Sequence, residues 1–181
     1  MFKFYPLQLT LVFFLMSVAL FAQVKPDFSD DQQYTKKGDK YLLGGTSYEI
    51  APPAHFQAWS NEESFVFIHP GAMSSMQIRF VEGVPYTFIT SSITVESMKQ
   101  QGAELVLAEE VKTNDGNSGI MYLLSYDITG DDNQIIHFER LMLLTGDYNT
   151  TVWIDANYPV QARTYLYNVM RESMLSIEKK D

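Results

Sequence analysis

With no cysteine in the chain, three histidines, scattered serines and a surplus of carboxylates are the first side chains to consider for catalysis. Thiolate nucleophiles, thiolate metal sites and disulfides are therefore excluded. His55, His69 and His137 do not fall in the paired-histidine pattern of a zinc protease. His137-Phe138-Glu139 sets an imidazole and a carboxylate two residues apart, on one face of a strand. That pair would supply two ligands of a metal site, or an acid and a base, and both uses need a further partner. A deaminase would require a Pro-Cys-x-x-Cys element that the chain cannot supply. Gly116-Asn117-Ser118-Gly119 approaches a nucleophile elbow, but Ile120 stands where the final glycine belongs, so the segment reads as a turn entering a strand. Asp127 to Asn133 offers oxygen ligands at alternate positions. Asp132 replaces the glycine of a calcium loop, and Phe138 occupies its bidentate position. Asn149-Thr150-Thr151 forms a glycosylation triplet inside a hairpin turn. Glycine-rich phosphate loops are absent, and no cofactor is implied.

A partner surface is the other chemistry the sequence can offer. Aromatics make up 14% of the chain, with 11 Tyr and 12 Phe, and tyrosine suits an interface because it joins apolar area to a polar tip. Tyr158, Tyr165 and Tyr167, with Arg163 and Arg171, gather around the last helix, and Trp59 and Trp153 lie elsewhere. The expected surface is the outer side of that helix together with the turns beside it.

The elements that must position these residues follow from periodicity. Strand patterns occur at Tyr48–Ile50, His55–Trp59, Ser64–Ile68 and Met76–Val81, separated by Pro52-Pro53, Asn61 and Pro70-Gly71. Ser91, Ser92 or Thr94 caps a helix carrying Val95, Glu96, Met98 and Lys99, which stops at Gly102. Four long strands come next: Glu104–Thr113, Ser118–Thr129, Gln134–Thr145 and Asn149–Ala156. Turns rich in Asn, Asp and Gly divide them, which predicts an antiparallel meander. Ile120, Tyr122, Leu124, Tyr126 and Ile128 share one face of the second of these strands, yet Met121 and Leu123 are apolar on the other. A sheet open to water on one side would alternate cleanly, so cover on both faces is expected. From Pro159 a last helix places Ala162, Leu166, Val169, Ser173 and Ile177 on one side, with Arg163, Arg171 and Lys179 opposite. The predicted class is α+β, an antiparallel sheet with helices on both faces.

The amino terminus predicts export. Between Lys3 and Lys25 there is no charged residue, and Leu9 to Phe21 is largely apolar. This is the layout of a signal peptide spanning residues 1–22, cleaved between Ala22 and Gln23, or after Ala19 with Ser17 at position minus three. Retained, residues 4–24 would form a membrane tether. A lipoprotein is excluded, because lipidation needs the missing cysteine. Residues 23–45 are polar and without period, which predicts a flexible arm ahead of one domain at 46–181. Once Lys3 is removed, 12 basic residues face 22 acidic ones, a net charge of −10 that disfavours nucleic acid and anionic membranes.

In its order of elements, the Pro85-Tyr86-Thr87-Phe88 lead into the capped helix, Gly102 followed by Glu104 to Glu109, the Gly119 strand and the closing Glu172 to Ile177, the sequence resembles the PsbP and Mog-type family from about Tyr48 to Ile177. The resemblance implies an α/β/α sandwich and a binding or accessory role without enzymatic activity; no family binding residue carries over. Known members include photosystem subunits, a Ran-binding nuclear import factor and exported bacterial proteins. Export would exclude the nuclear role. Three functions stand as expectations: a non-catalytic module binding another protein or envelope component, a small-molecule or metal-binding domain using His137 and Glu139, and a hydrolase without a standard motif.

Overall fold

The computed structural model describes residues 36–60, 64–130 and 133–180. The signal segment and the Ala22–Gln23 junction lie outside them. In chain order the elements are β1 (Tyr41–Leu42), β2 (Tyr48–Ile50), β3 (Gln57–Ser60), β4 (Phe65–His69), β5 (Ser74–Glu82), α1 (Tyr86–Thr90) and α2 (Val95–Gln100). They continue with β6 (Ala103–Lys112), β7 (Ser118–Thr129), β8 (Ile135–Gly146), β9 (Thr150–Pro159), α3 (Arg163–Leu175) and β10 (Glu178–Lys179). Seven strands form one antiparallel sheet in the order β3-β4-β5-β9-β8-β7-β6, and β1-β2-β10 form a small second sheet.

The meander from β6 to β9 agrees with the sequence pattern to within a residue or two at most ends. Its β8–β9 turn depends on Gly146, whose φ of 127° places a hypothetical Cβ only 2.1 Å from the Thr150 carbonyl oxygen. No side chain fits there. At the helix after residue 90 the cap is Thr94. Its hydroxyl accepts from the Ser97 amide at 3.1 Å, and the Ser97 hydroxyl accepts from the Thr94 amide at 2.9 Å. Two amides at the helix start that lack partners within the helix are thereby satisfied. Gly102, at φ 77°, ends the helix in the left-handed conformation that glycine adopts without strain.

Alternate residues of a strand point to opposite faces, and two apolar clusters divide along that alternation. One joins Met121, Leu123, Leu141, Leu143, Ile154 and Ala156 to Leu166, Val169, Met170 and Met174 of α3. The other joins Tyr122, Leu124, Met142, Leu144 and Trp153 to Ile93 and to Met98 of α2, with Tyr86 and Ile89 of α1 packed against it. Their burial supplies most of the drive to fold, on the order of 2 kcal/mol for each large side chain removed from water.

Four expectations are corrected. The segment 23–45 enters the described residues at Lys36 and there is built into the fold. Lys37 bridges Pro53, Tyr41 packs edge-on against Phe67 at 5.2 Å, and Leu43 is fully buried in the first cluster. One leucine inserted in the core outweighs a polar, aperiodic surrounding. The Pro85 to Phe88 lead is itself helical, because Tyr86 and Ile89 gain burial against the second cluster. The last helix begins at Arg163 and not at Pro159, since Pro159 completes β9 and a 3-10 turn follows at Val160–Ala162. Finally, Ile177 and Lys179 lie beyond that helix. Ile177 is buried all the same, and Lys179 pairs with Tyr48 across the small sheet.

Candidate functional site

The two residues singled out on β8 are engaged by different partners. His137 Nδ1 lies 2.6 Å from Asp127 Oδ1, a cross-strand pair exposed to water on both sides. Glu139 is buried, faces Tyr158 across the ladder and accepts a hydrogen bond from Arg163 Nη1 at the start of α3. Among the described residues no three His, Asp or Glu side chains converge as a metal site would need. His69 Nδ1 accepts from the Ala72 amide at 3.1 Å and caps the turn after β4; burial, foremost, pushes its pKa down. Ser118 opens β7, and its carbonyl accepts from the Thr145 hydroxyl at 2.8 Å. Of the acidic loop, Asp131 and Asp132 lie outside the described residues, and Phe138 is buried. Asn149 sits in the β8–β9 turn, where the Asp147 carboxylate accepts from the amides of Asn149 and Thr150, each at 2.8 Å.

The expected aromatic surface must also be corrected. Tyr158 is 0% exposed, so no partner can touch it. Burial, reinforced by the adjacent Glu139 charge, drives its phenol pKa far above the ordinary value. Tyr165 and Tyr167 are half-buried against the first cluster. Arg163 holds Glu139 and lies over the Tyr167 ring at 5.4 Å, while Arg171 reaches Glu109 of β6 at 3.1 Å. These arginines fasten α3 to the sheet.

A polar network that the sequence reading did not find crosses the other face of the sheet. Arg79 Nη2 donates to Asp155 Oδ2 at 2.6 Å, and its guanidinium lies 4.8 Å from the Trp153 ring. Asn157 Oδ1 accepts from Arg140 Nε at 3.0 Å and from the Tyr126 hydroxyl at 3.3 Å, and burial pushes the Tyr126 phenol well above its usual pKa. The signal was present in β9, where Asp155 and Asn157 interrupt an otherwise apolar strand at alternate positions.

Two concavities bear on binding. A small one of about 90 Å³ lies among Tyr48, Asp115, Asp147 and Lys179. The larger is a groove of about 560 Å³ walled by Tyr86, Thr87 and Thr90 of α1 and floored by Glu110, Lys112 and Ile120. It runs beside β6, the last strand of the sheet, whose Val106 and Leu107 are 52% and 43% exposed; on α1, Phe88 is 63% exposed. An exposed strand margin beside a groove can bind a chain by hydrogen bonds and side-chain contacts.

Sheet order, the capped helix on the outward path and the closing helix together define a PsbP/Mog-like fold. Among solved structures the chain is similar to the Ran-binding protein Mog1p of Saccharomyces cerevisiae, at 12% identity and a TM-score of 0.55 over 81% of this chain and 97% of that one. It is also similar to the cyanobacterial PsbP (CyanoP) of Synechocystis sp. PCC 6803, at 18% identity and a TM-score of 0.53 over 78% and 91%. A protein of Bacteroides thetaiotaomicron aligns at 15% identity and a TM-score of 0.54 over 81% of this chain, which spans only 50% of that one. No family model and no curated protein matches the chain significantly.

Proposed function

We propose that the chain is an exported, non-catalytic module of the cell envelope, or a secreted one, that binds another protein. We read its architecture as a helix, sheet, helix sandwich, on the strength of the two clusters that α3 and the α1–α2 pair make with alternate residues of the same strands. The observation that carries the functional reading is the division of labour among its side chains. Glu139, Asp155, Arg163 and Arg171 are committed to pairs that join elements of the fold, whereas Val106 and Leu107 stand exposed on the margin strand β6 and Phe88 on α1. Exposed apolar area of that kind marks interaction sites. The likeness to a Ran-binding protein supports a protein partner, and the acidic net charge, −10 with Lys3 removed (12 basic against 22 acidic residues), favours one that is basic. Export rests on the apolar run between Lys3 and Lys25.

Two measurements test the reading. Fractionation of the native host, with amino-terminal sequencing of the recovered protein, is expected to find it outside the cytoplasm and beginning at Gln23. Recovery from the cytoplasm refutes export, and recovery from the membrane with the start intact indicates the residue 4–24 tether. Affinity capture by the full chain from an envelope extract is expected to retain a specific protein. No observation favours the metal or hydrolase reading over this one, since His137 and Glu139 are taken up by separate partners.

A further inference from the structure

We infer that the outer margin of β6 takes up an extended segment of another protein, with a basic residue set among β-branched ones, as an added strand; the inference rests on the binding-module reading above. Among the described residues β6 is the end of the seven-stranded order and has β7 as its only strand neighbour. Such a margin presents unpaired amide and carbonyl groups along its length. The irregularity between Leu105 and Leu107 breaks its first half, leaving Leu107–Lys112 as a regular stretch paired residue for residue with Leu123–Ser118. About six residues is the length of an average strand.

Charge decides what can pair there. A second copy of this chain paired antiparallel about Glu110 would set Glu110 against Glu110, and like charges directly opposite are destabilising; paired about Val111 it sets Glu110 against Lys112, so the net charge of the two copies is what opposes self-pairing. Each copy brings a net charge of −9. A basic side chain opposite the exposed Glu110 has the reverse effect. Ala108, Glu110 and Lys112 share the strand face that turns toward α1, because their ladder partners Tyr122 and Ile120 belong to the second cluster. An incoming strand therefore sets its side chains, at steps of two, beside Ala108, Glu110 and Lys112 on that face, where β-branched groups suit the pleated surface; the groove beneath α1 lies inward of this margin, over β6 and β7. Ala108 offers no bulk to oppose them.

The test uses the full chain and a fluorescein-labelled heptapeptide, Thr-Val-Thr-Lys-Thr-Val-Thr, with its Glu-centred counterpart, followed by anisotropy and by amide hydrogen exchange. The Lys peptide is expected to bind the natural chain and to slow exchange within Ala108–Lys112. Glu110→Lys is expected to weaken that binding by about tenfold, from reversal of one facing charge pair, and to bind the Glu peptide better than the natural chain does. Glu172→Lys, at an exposed position on α3, should change neither. Absence of Lys-peptide binding, equal affinity for E110K, unaltered exchange over Ala108–Lys112, or a dimer in sedimentation that E110K abolishes would each overturn the proposal. Capture of an envelope protein that E110K retains as well as the natural chain does overturns strand addition alone. Failure of the natural chain to retain any protein overturns the binding-module reading itself.

Discussion

Removing Arg163 should expose how much of the fold hangs on one partly covered ion pair. Glu139 keeps only 6% of its side-chain surface exposed, while Arg163 keeps 49%. For a fully buried pair, deletion of one partner destabilises by about 3–5 kcal/mol, because the remaining charge is left unpaired away from water. For a fully exposed pair the loss is about 0–1 kcal/mol. Here the carboxylate is buried and its partner is half in solvent, and truncating Arg163 opens a path for water toward Glu139. Arg163→Ala is therefore expected to lose about 2 kcal/mol, between those limits, which for a domain of this size lowers Tm by about 4–8 °C. Urea unfolding and calorimetry of the single variants and of the double variant Arg163→Ala with Glu139→Gln supply the measurement. Neutralising the stranded carboxylate should recover about half the loss, on the order of 1 kcal/mol. A loss below about 0.5 kcal/mol in Arg163→Ala, or a double variant no more stable than that single one, would refute the reasoning and return the pair to the class of surface contacts.

Other outcomes are expected from the same geometry. Arg171→Ala, whose pair with Glu109 leaves both side chains about one third exposed, should lose no more than about 0.5 kcal/mol in urea unfolding. Thr94→Ala removes one half of the capping box and should lose about 1 kcal/mol by the same assay. Gly146→Ala brings a Cβ against the Thr150 carbonyl in a backbone conformation foreign to alanine, so the hairpin should open, at about 3 kcal/mol or more. His69 has a depressed pKa in the folded chain, so the unfolded chain binds more protons near neutrality; the His69 contribution to stability is complete above pH 6.5 and declines as pH falls below it. Stability measured from pH 7.5 to 5.5 should fall, and His69→Gln should flatten that slope.

What could be read in advance was whatever depended on local pattern. The β6 to β9 strands were legible because apolar alternation and Asn-Asp-Gly turns repeat there, and the inner face of α3 because Leu166, Val169 and Ser173 recur at helical steps. Leu43 was not legible, since a single buried leucine in a polar stretch has no period. Tyr158 was misread as surface for a related reason: β9 is buried along almost its whole length, so alternation could not say which tyrosine meets solvent. The Arg79–Asp155 pair lay hidden by a sequence separation of 76 residues, which only the pairing of β5 with β9 closes. Likewise, that β6 would be the outermost strand follows from sheet order, which periodicity does not contain.

The pairing of β5 with β9 also dictates when this protein can exist. β3, β4 and β5 can assemble as one local meander and β6, β7 and β8 as another, but β9 is the strand that lies between β5 and β8 and joins them. Until Thr150–Pro159 is available, both halves carry a raw, hydrophobic margin, and β9 is the last strand of that sheet in chain order. Assembly is therefore a late, non-local event, of the kind that folds slowly. A chain interrupted before Thr150 should fail as two sticky half-sheets, because the keystone strand that joins them follows all the others of the sheet.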